Sequence, residues 1–167
     1  MKEIPLTRGL VALVDDRDYA TLMRLAPWHV LKGPRTFYAS HNYPMGQGRG
    51  RPTGSITMHV ALMGKRRGVD IDHIDGNGLN NQRSNLRWAT RSQNRANARK
   101  PRNSAARFKG VSFIKRLGKF QASIGKPKRY LGVFTSEEDA ARAYDAAANT
   151  LYGEFARPNF PQVLEDQ

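Results

Sequence analysis

Hydrophobic and polar positions along the chain change rhythm twice, and each change marks a different kind of element. Over the first fifty residues, Ile4 to Leu6 and Leu10 to Val14 read as short strands. Asp15 or Asp16 then caps a helix whose apolar stripe is Tyr19, Leu22, Met23 and Ala26. Trp28 and the run Phe37, Tyr38, Ala39 suit further strand positions. The segment therefore reads as small β structure with one short helix. PMGQGRGRPTG, residues 44 to 54, breaks the pattern with a Gly- and Pro-rich basic loop, either a connector or a flexible arm. His59 follows inside ITMHVALMG, where the apolar neighbourhood favours a structural histidine over a ligand. His29 and His41 have no partners in sequence that suggest chemistry.

The second rhythm begins at Val69. Val69 to Asp72 alternates apolar and acidic residues, so a strand ends at Asp72 and His73, where side chains can project into a site. Asp75, Gly76, Asn77 and Gly78 supply turn chemistry that tolerates positive φ. Asn85 to Ala89 suits a second strand. Thr90 or Ser92 then caps a polar helix carrying Gln93, Asn94, Arg95, Asn97 and Arg99. Two strands and a helix are thereby expected around one cleft.

RKPRNSAAR, residues 99 to 107, has the composition of a solvated linker. Beyond it the period changes again. Gly110 to Ile114, Lys119 to Ile124 and Arg129 to Phe134 form strand-like runs, with turns at Leu117-Gly118 and Gly125 to Lys128. Ser136 opens a helix as N-cap with Asp139 three residues on, and acids fill the first turn as the helix dipole prefers. Ala140, Ala143, Tyr144, Ala147 and Leu151 recur at helical spacing, so small residues bring helix and sheet close together.

Composition narrows the function. The 167 residues carry a net charge of +14 with no cysteine. The charge points to a polyanionic partner, and its excess is concentrated between residues 51 and 107, with twelve Lys and Arg against three acids. No apolar run is long enough to span a membrane, and the N-terminus lacks the apolar core of a secretion signal, so no membrane association is expected. Without cysteine there is no disulfide framework, which makes a reducing cytoplasm the expected location. A basic surface alone could bind RNA, DNA or anionic lipid; here it surrounds candidate hydrolytic residues.

Phosphodiester hydrolysis needs a deprotonated water, a Lewis acid and positive charge for the developing anion. Asp72 and Asn94 each offer one hard oxygen, which suits Mg²⁺ or Mn²⁺ that keeps its waters and takes phosphate oxygens. His73 is free to act as general base, because imidazole titrates near neutrality. Asn85 can hydrogen-bond across the loop and fix the imidazole. Arg87, Arg91 and Arg95 are near enough in sequence to supply positive charge. The plainer alternative is a loop histidine in a basic protein, with carboxylates and amides merely turning the chain.

DHIDGN, then RSNLRWAT, then SQNRAN resembles the HNH endonuclease family, of the kind encoded by phages and introns. The resemblance implies that Asp72 and Asn94 are metal ligands, His73 the general base and Asn85 the structural asparagine, in a His-Asn-Asn variant of the motif. With no cysteine, no zinc is expected. IPLTRGLVALVDDRDYATL is also similar to the leader of small phage proteins of this family, which implies one folded unit from residue 1 to about residue 100.

The C-terminal segment carries a second likeness. KGV, GKFQASI, RYLGVF, EEDAARAYDAAA and the closing Asn159-Phe160 resemble the plant ethylene-response-factor, or APETALA-type, DNA-binding domain. The resemblance implies a sheet that docks in the major groove of double-stranded DNA through Lys109, Ser112, Lys119, Gln121, Ser123 and Arg129. Lys115, Arg116 and Lys128 add cations to the same strands and turns, while the acids Glu137, Glu138, Asp139 and Asp145 belong to the helix. Ser112, Phe120, Gln121 and Ser123 stand where plant members carry Arg or Trp, so the plant recognition sequence is not expected.

The expected fold is α+β. A ββα-metal (His-Me finger) nuclease core with its β-rich scaffold spans 1–98, a basic linker 99–107, a three-stranded antiparallel sheet packed on one helix 108–160, and a tail 161–167. The expected activity is metal-dependent nicking or cleavage of DNA in a host-cell cytoplasm, with a phage homing role and no obligate protein partner. A DNA-binding regulator or packaging protein with an inactive nuclease core is the alternative.

Overall fold

The computed structural model describes residues 1–44, 53–100 and 106–161. Most of the Gly- and Pro-rich loop, the middle of the expected linker and the tail beyond residue 161 lie outside the described residues. The chain forms two compact units, Met1–Thr90 and Arg91–Gln167. Both are mixed α and β structures built on small antiparallel sheets. Among the described residues no helix is long and apolar enough to cross a membrane.

In the first unit, β1 (Lys2–Pro5) pairs antiparallel with β2 (Val11–Val14), and α1 (Asp16–Met23) follows. β3 (His29–Lys32), β4 (Phe37–Pro44) and β5 (Thr53–Thr57) form a three-stranded meander that leads into α2 (Met58–Met63). β6 (Asp70–His73) and β7 (Leu86–Ala89) close the unit as an antiparallel pair. Ile4, Ala12, Val14, Leu22, Trp28, Ala39 and Met58 form the buried core. The Trp28 indole N–H donates to the Leu22 carbonyl at 2.9 Å, which satisfies the one polar atom this ring brings into the core. Asp15 occupies the N-cap position of α1, yet its carboxylate does not cap the helix and instead accepts the Arg83 backbone N–H at 2.9 Å. The cap expected from the sequence is therefore a tie between α1 and the turn before β7. No helix was expected at 58–63, because six residues are too few to display a 3.6-residue period.

In the second unit, α3 (Arg91–Asn97) precedes β8 (Val111–Ile114), β9 (Lys119–Ile124) and β10 (Arg129–Phe134), with β9 central, and α4 (Glu137–Tyr152) packs on β9 and β10. The Ser136 hydroxyl caps α4 by accepting the Asp139 N–H at 3.3 Å, at the residue and spacing expected. The buried side of α4 is Ala140, Ala141, Tyr144, Asp145 and Ala148, whereas Leu151 is 41% exposed. Asp145 explains the rotation. Its carboxylate accepts Asn159 N–H at 2.8 Å and Phe160 N–H at 2.9 Å, so this side of the helix faces the C-terminal strap. Asn159 in turn accepts from Lys109 N–H at 2.7 Å, which ties the start of the module to its end. Gly110 has φ +79, and a Cβ there would lie 1.9 Å from the Tyr144 ring, so the glycine of KGV is needed for the helix to seat.

Candidate functional site

The β6–β7 hairpin sets Asp72 and His73 on opposite faces. Ile71 pairs with Trp88 and His73 with Leu86, while Asp72 pairs with Arg87 between them. Strand alternation then gives His73 the face of Ile71, Leu86 and Trp88, and gives Asp72 the face of Arg87. Both residues are almost fully buried at the end of β6, Asp72 at 5% and His73 at 6% exposure.

The loop between the strands is braced by its own polar side chains. Asn85 Oδ1 accepts Asp75 N–H at 3.0 Å, and its amide donates to Asp75 Oδ1 at 3.0 Å and to the Asn80 carbonyl at 2.8 Å. Asn80 Nδ2 donates to the other Asp75 oxygen at 2.9 Å. Burial pulls Asp75 upward, but hydrogen bonds from Asn77, Asn80 and Asn85 outweigh it and hold the carboxyl below its usual range. Gly76 takes the positive φ expected of the DGN turn, +73°, whereas Gly78 serves a different need. A Cβ at Gly78 would lie 2.5 Å from both the Phe37 carbonyl and the Tyr38 ring, so the loop presses directly on β4. Arg83 anchors the far end with a two-point contact to Asp18, Nε at 2.8 Å and Nη2 at 2.9 Å.

His73 does not stand alone. The His59 ring, from the first turn of α2, lies 5.0 Å from it at 89°, and the Tyr38 ring of β4 lies 5.6 Å from His59 and 5.8 Å from His73. Sequence reasoning gave His59 a structural role. The signal that could have drawn it in, its place in an apolar run just ahead of the hairpin, marks burial as readily as chemistry. Burial, with the neighbouring His73 adding to it, pushes His59 down to about 4. Burial also lowers His73, against the pull of Asn81, Asp75 and Asp72 in the other direction. Asn81, wholly buried in the same loop, is a further residue that the sequence did not single out. An open cavity of about 420 Å³ borders His59, Ile71 and Trp88, with Arg66 stacked 4.6 Å over the Trp88 ring.

On the opposite face Arg87 Nε donates to Asp72 Oδ2 at 3.0 Å, so this expected DNA contact is engaged inside the unit. Asn94 lies on α3, in the second unit, with Arg91 and Arg95 exposed on the same short helix. Among the described residues no group of three or more His, Cys, Asp or Glu gathers that could hold a metal ion. The Asp72 carboxylate is a hard-oxygen donor of the kind Mg²⁺ takes when it keeps most of its waters.

The second unit offers a basic surface of two parts. By register, the sheet face turned from α4 carries Ser112, Ile114, Lys119, Gln121, Ser123, Tyr130 and Val133, while Arg129 pairs with Ile124 on the helix side. The charge is therefore concentrated at the turns, with Lys115 and Arg116 at one and Lys126 and Lys128 at the other, rather than spread across the strands. Arg91, Arg95, Lys109, Lys126 and Lys128 also line an open groove of about 390 Å³ that no acid borders among the described residues. Lys109 Nζ donates to the Ala96 carbonyl and so holds α3 within this unit.

The buried Asp-His pair at a strand end, the loop stapled by asparagines and the following helix fall within one continuous stretch of the chain. A family model described as HNH endonuclease matches residues 66–96. An HNH endonuclease of Acanthamoeba polyphaga mimivirus is 32% identical over 139 residues, covering 81% of this chain and 72% of that protein. The chain belongs to the HNH endonuclease family. It is also partly similar to AP2/ERF DNA-binding domains of plant transcription factors. Dehydration-responsive element-binding protein 2A of Arabidopsis thaliana is 45% identical over 67 residues, 37% of this chain and 19% of that protein. Ethylene-responsive transcription factor 3 of Nicotiana tabacum is 53% identical over 59 residues, 33% of this chain and 26% of that protein. The chain thus spans about a fifth to a quarter of those plant relatives. No solved structure matches it at a comparable level.

Proposed function

We propose that this endonuclease hydrolyses duplex DNA with one divalent cation, Mg²⁺ or Mn²⁺, held by Asp72 and Asn94, with His73 as general base. The observation that carries the reading is the buried Asp72-His73 pair at the end of β6, behind a loop braced by Asn85, inside the segment matched by the family model. A bound cation supplies Lewis-acid stabilisation to the scissile phosphate and its leaving oxygen. His73 takes a proton from water as the water oxygen bonds to phosphorus. The bond to the leaving oxygen breaks with its electron pair, and that oxygen takes a proton from solvent. Asn85 keeps the loop closed beside the imidazole. Asp72 and His73 flank the strand end from opposite faces, which leaves the end itself for the phosphate.

The second unit, through Ser112, Lys115, Arg116, Lys119, Gln121, Ser123 and the groove cations, holds the nuclease on duplex DNA and raises its effective concentration there. The mimiviral relative supports a viral origin, and we extend the reading to a phage homing endonuclease acting in the host cytoplasm.

The Arg87 guanidinium on Asp72 favours a second reading, a DNA-binding regulator whose nuclease core is inert. Relaxation of supercoiled plasmid separates the two. Nicking that requires both Mg²⁺ and His73, lost with EDTA and in His73→Ala, supports the hydrolase. Tight duplex binding without cleavage across several metals and DNA sources supports the regulator.

A further inference from the structure

We propose that His59 is a second catalytic histidine, whose Nδ1 holds the hydrolytic water against His73. This rests on the cleavage reaction proposed above and assigns a task to a residue outside the segment matched by the family model, 66–96.

His59 Nδ1 is buried and has no hydrogen-bond partner among the described residues. A buried polar atom left without a partner costs about 1–3 kcal/mol. Met58, Val60, Ala61 and Leu62 surround it in sequence, so an apolar side chain would fill the position without that cost. An imidazole kept at such a site calls for a partner that binds during the reaction.

His59 Nε2 lies 2.9 Å from Thr57 Oγ1, which fixes the ring against flipping. With Nε2–H donating to that hydroxyl, Nδ1 is left as an acceptor. Neutral imidazole is needed for this, and burial keeps the ring neutral well below physiological pH.

The two imidazole centroids are 5.0 Å apart with their planes at 89°. Rings packed this closely need only one water, within about 2.7–3.2 Å of a nitrogen of each, to join them. Tyr38 packs against both rings and limits their rotation. The open cavity of about 420 Å³ reaches His59 beside Ile71 and Trp88, on the hairpin face that His73 shares. In this arrangement the water donates one hydrogen to His59 Nδ1 and the other to His73. Its lone pair is then free for phosphorus, and only the proton on the His73 side is transferred.

The test compares His59→Phe, which keeps a ring and removes both nitrogens, with His59→Asn, which returns an acceptor near the Nδ1 position. Single-turnover plasmid cleavage in Mg²⁺, DNA affinity and thermal midpoint are measured for each, beside wild type and His73→Ala. The expected result is a fall of roughly 10–100-fold in the cleavage step for His59→Phe, with DNA affinity within about twofold and the midpoint unchanged or higher, and a rate at least partly restored in His59→Asn. His59→Phe cleaving at the wild-type rate, or both variants falling equally, overturns the proposal. If wild type does not cleave, the hydrolase reading itself fails. A long-range ¹H–¹⁵N imidazole spectrum of wild-type protein then decides the remaining point: Nδ1 of His59 is expected without a proton, and a protonated Nδ1 overturns the acceptor assignment.

Discussion

Arg87 Nε donates to Asp72 Oδ2 at 3.0 Å, with 13% and 5% of the two side chains exposed. Removing one partner of so buried a pair leaves the other charge in a poor environment. Arg87→Ala is expected to lower stability by about 2–4 kcal/mol at neutral pH. A cation that shares Asp72 replaces part of the lost charge, so Mg²⁺ should raise the urea midpoint of the variant more than that of wild type. Equal Mg²⁺ effects on the two proteins would argue against Asp72 as a ligand.

Asn85 joins both ends of the loop through Asp75 and Asn80. Asn85→Ala is expected to cost about 2–3 kcal/mol, from hydrogen bonds to a charged partner and a buried backbone group. It also removes one of the bonds that hold Asp75 down, so the Asp75 carboxyl should titrate higher than in wild type in a ¹³C-detected NMR titration.

The low value of His59 makes stability depend on pH in a definite direction. Its folded value, about 4, lies below the unfolded 6.5, so on acidification the unfolded chain takes up this proton first. The stability of wild type is therefore retained above about 6.5 and declines as the pH falls from there towards 4. The decline attributable to this group is on the order of 2–3 kcal/mol across the window. Urea melts of His59→Phe and wild type between pH 7 and pH 4 should diverge, wild type losing stability relative to the variant as the pH falls, because the variant has no such proton to bind. Parallel curves would show that His59 titrates as it does in the unfolded chain.

Lys126 and Lys128 are exposed at the turn that borders the groove, where no acid among the described residues opposes them. If DNA phosphates occupy that groove, Lys126→Ala with Lys128→Ala should weaken duplex binding with little regard to sequence. The dependence of log K on log salt should flatten by about one for each lysine that contacts a phosphate. An unchanged salt slope would place the DNA elsewhere on the unit.

The strands of the C-terminal sheet were legible in the sequence because one face is buried under α4, which forces β-prone runs between unmistakable turn residues. Ser136 was legible for a similarly local reason, since a cap depends only on residues three apart. The rotation of α4 was not, because Asp145 gains its partners from Asn159 and Phe160, which no helical period reports. At the candidate site, Asp72 and His73 were readable from one contiguous stretch. His59 was not, because three separate elements, β4, α2 and β6, bring the rings together. Arg87 was read as a cation awaiting phosphate; its pairing with Asp72 follows from strand register, fixed only once His73 lies opposite Leu86.

α3 packs with the second unit, held by Lys109 and α4, although the family match runs through it to residue 96. A recombination event that exchanged the DNA-holding module at residue 99 would therefore deliver a helix shaped for one neighbour to a different one. Module shuffling in such a chain must carry α3 along with the sheet that supports it. Asn94 would then travel with the second unit, and each new partner would have to accept the helix that brings it.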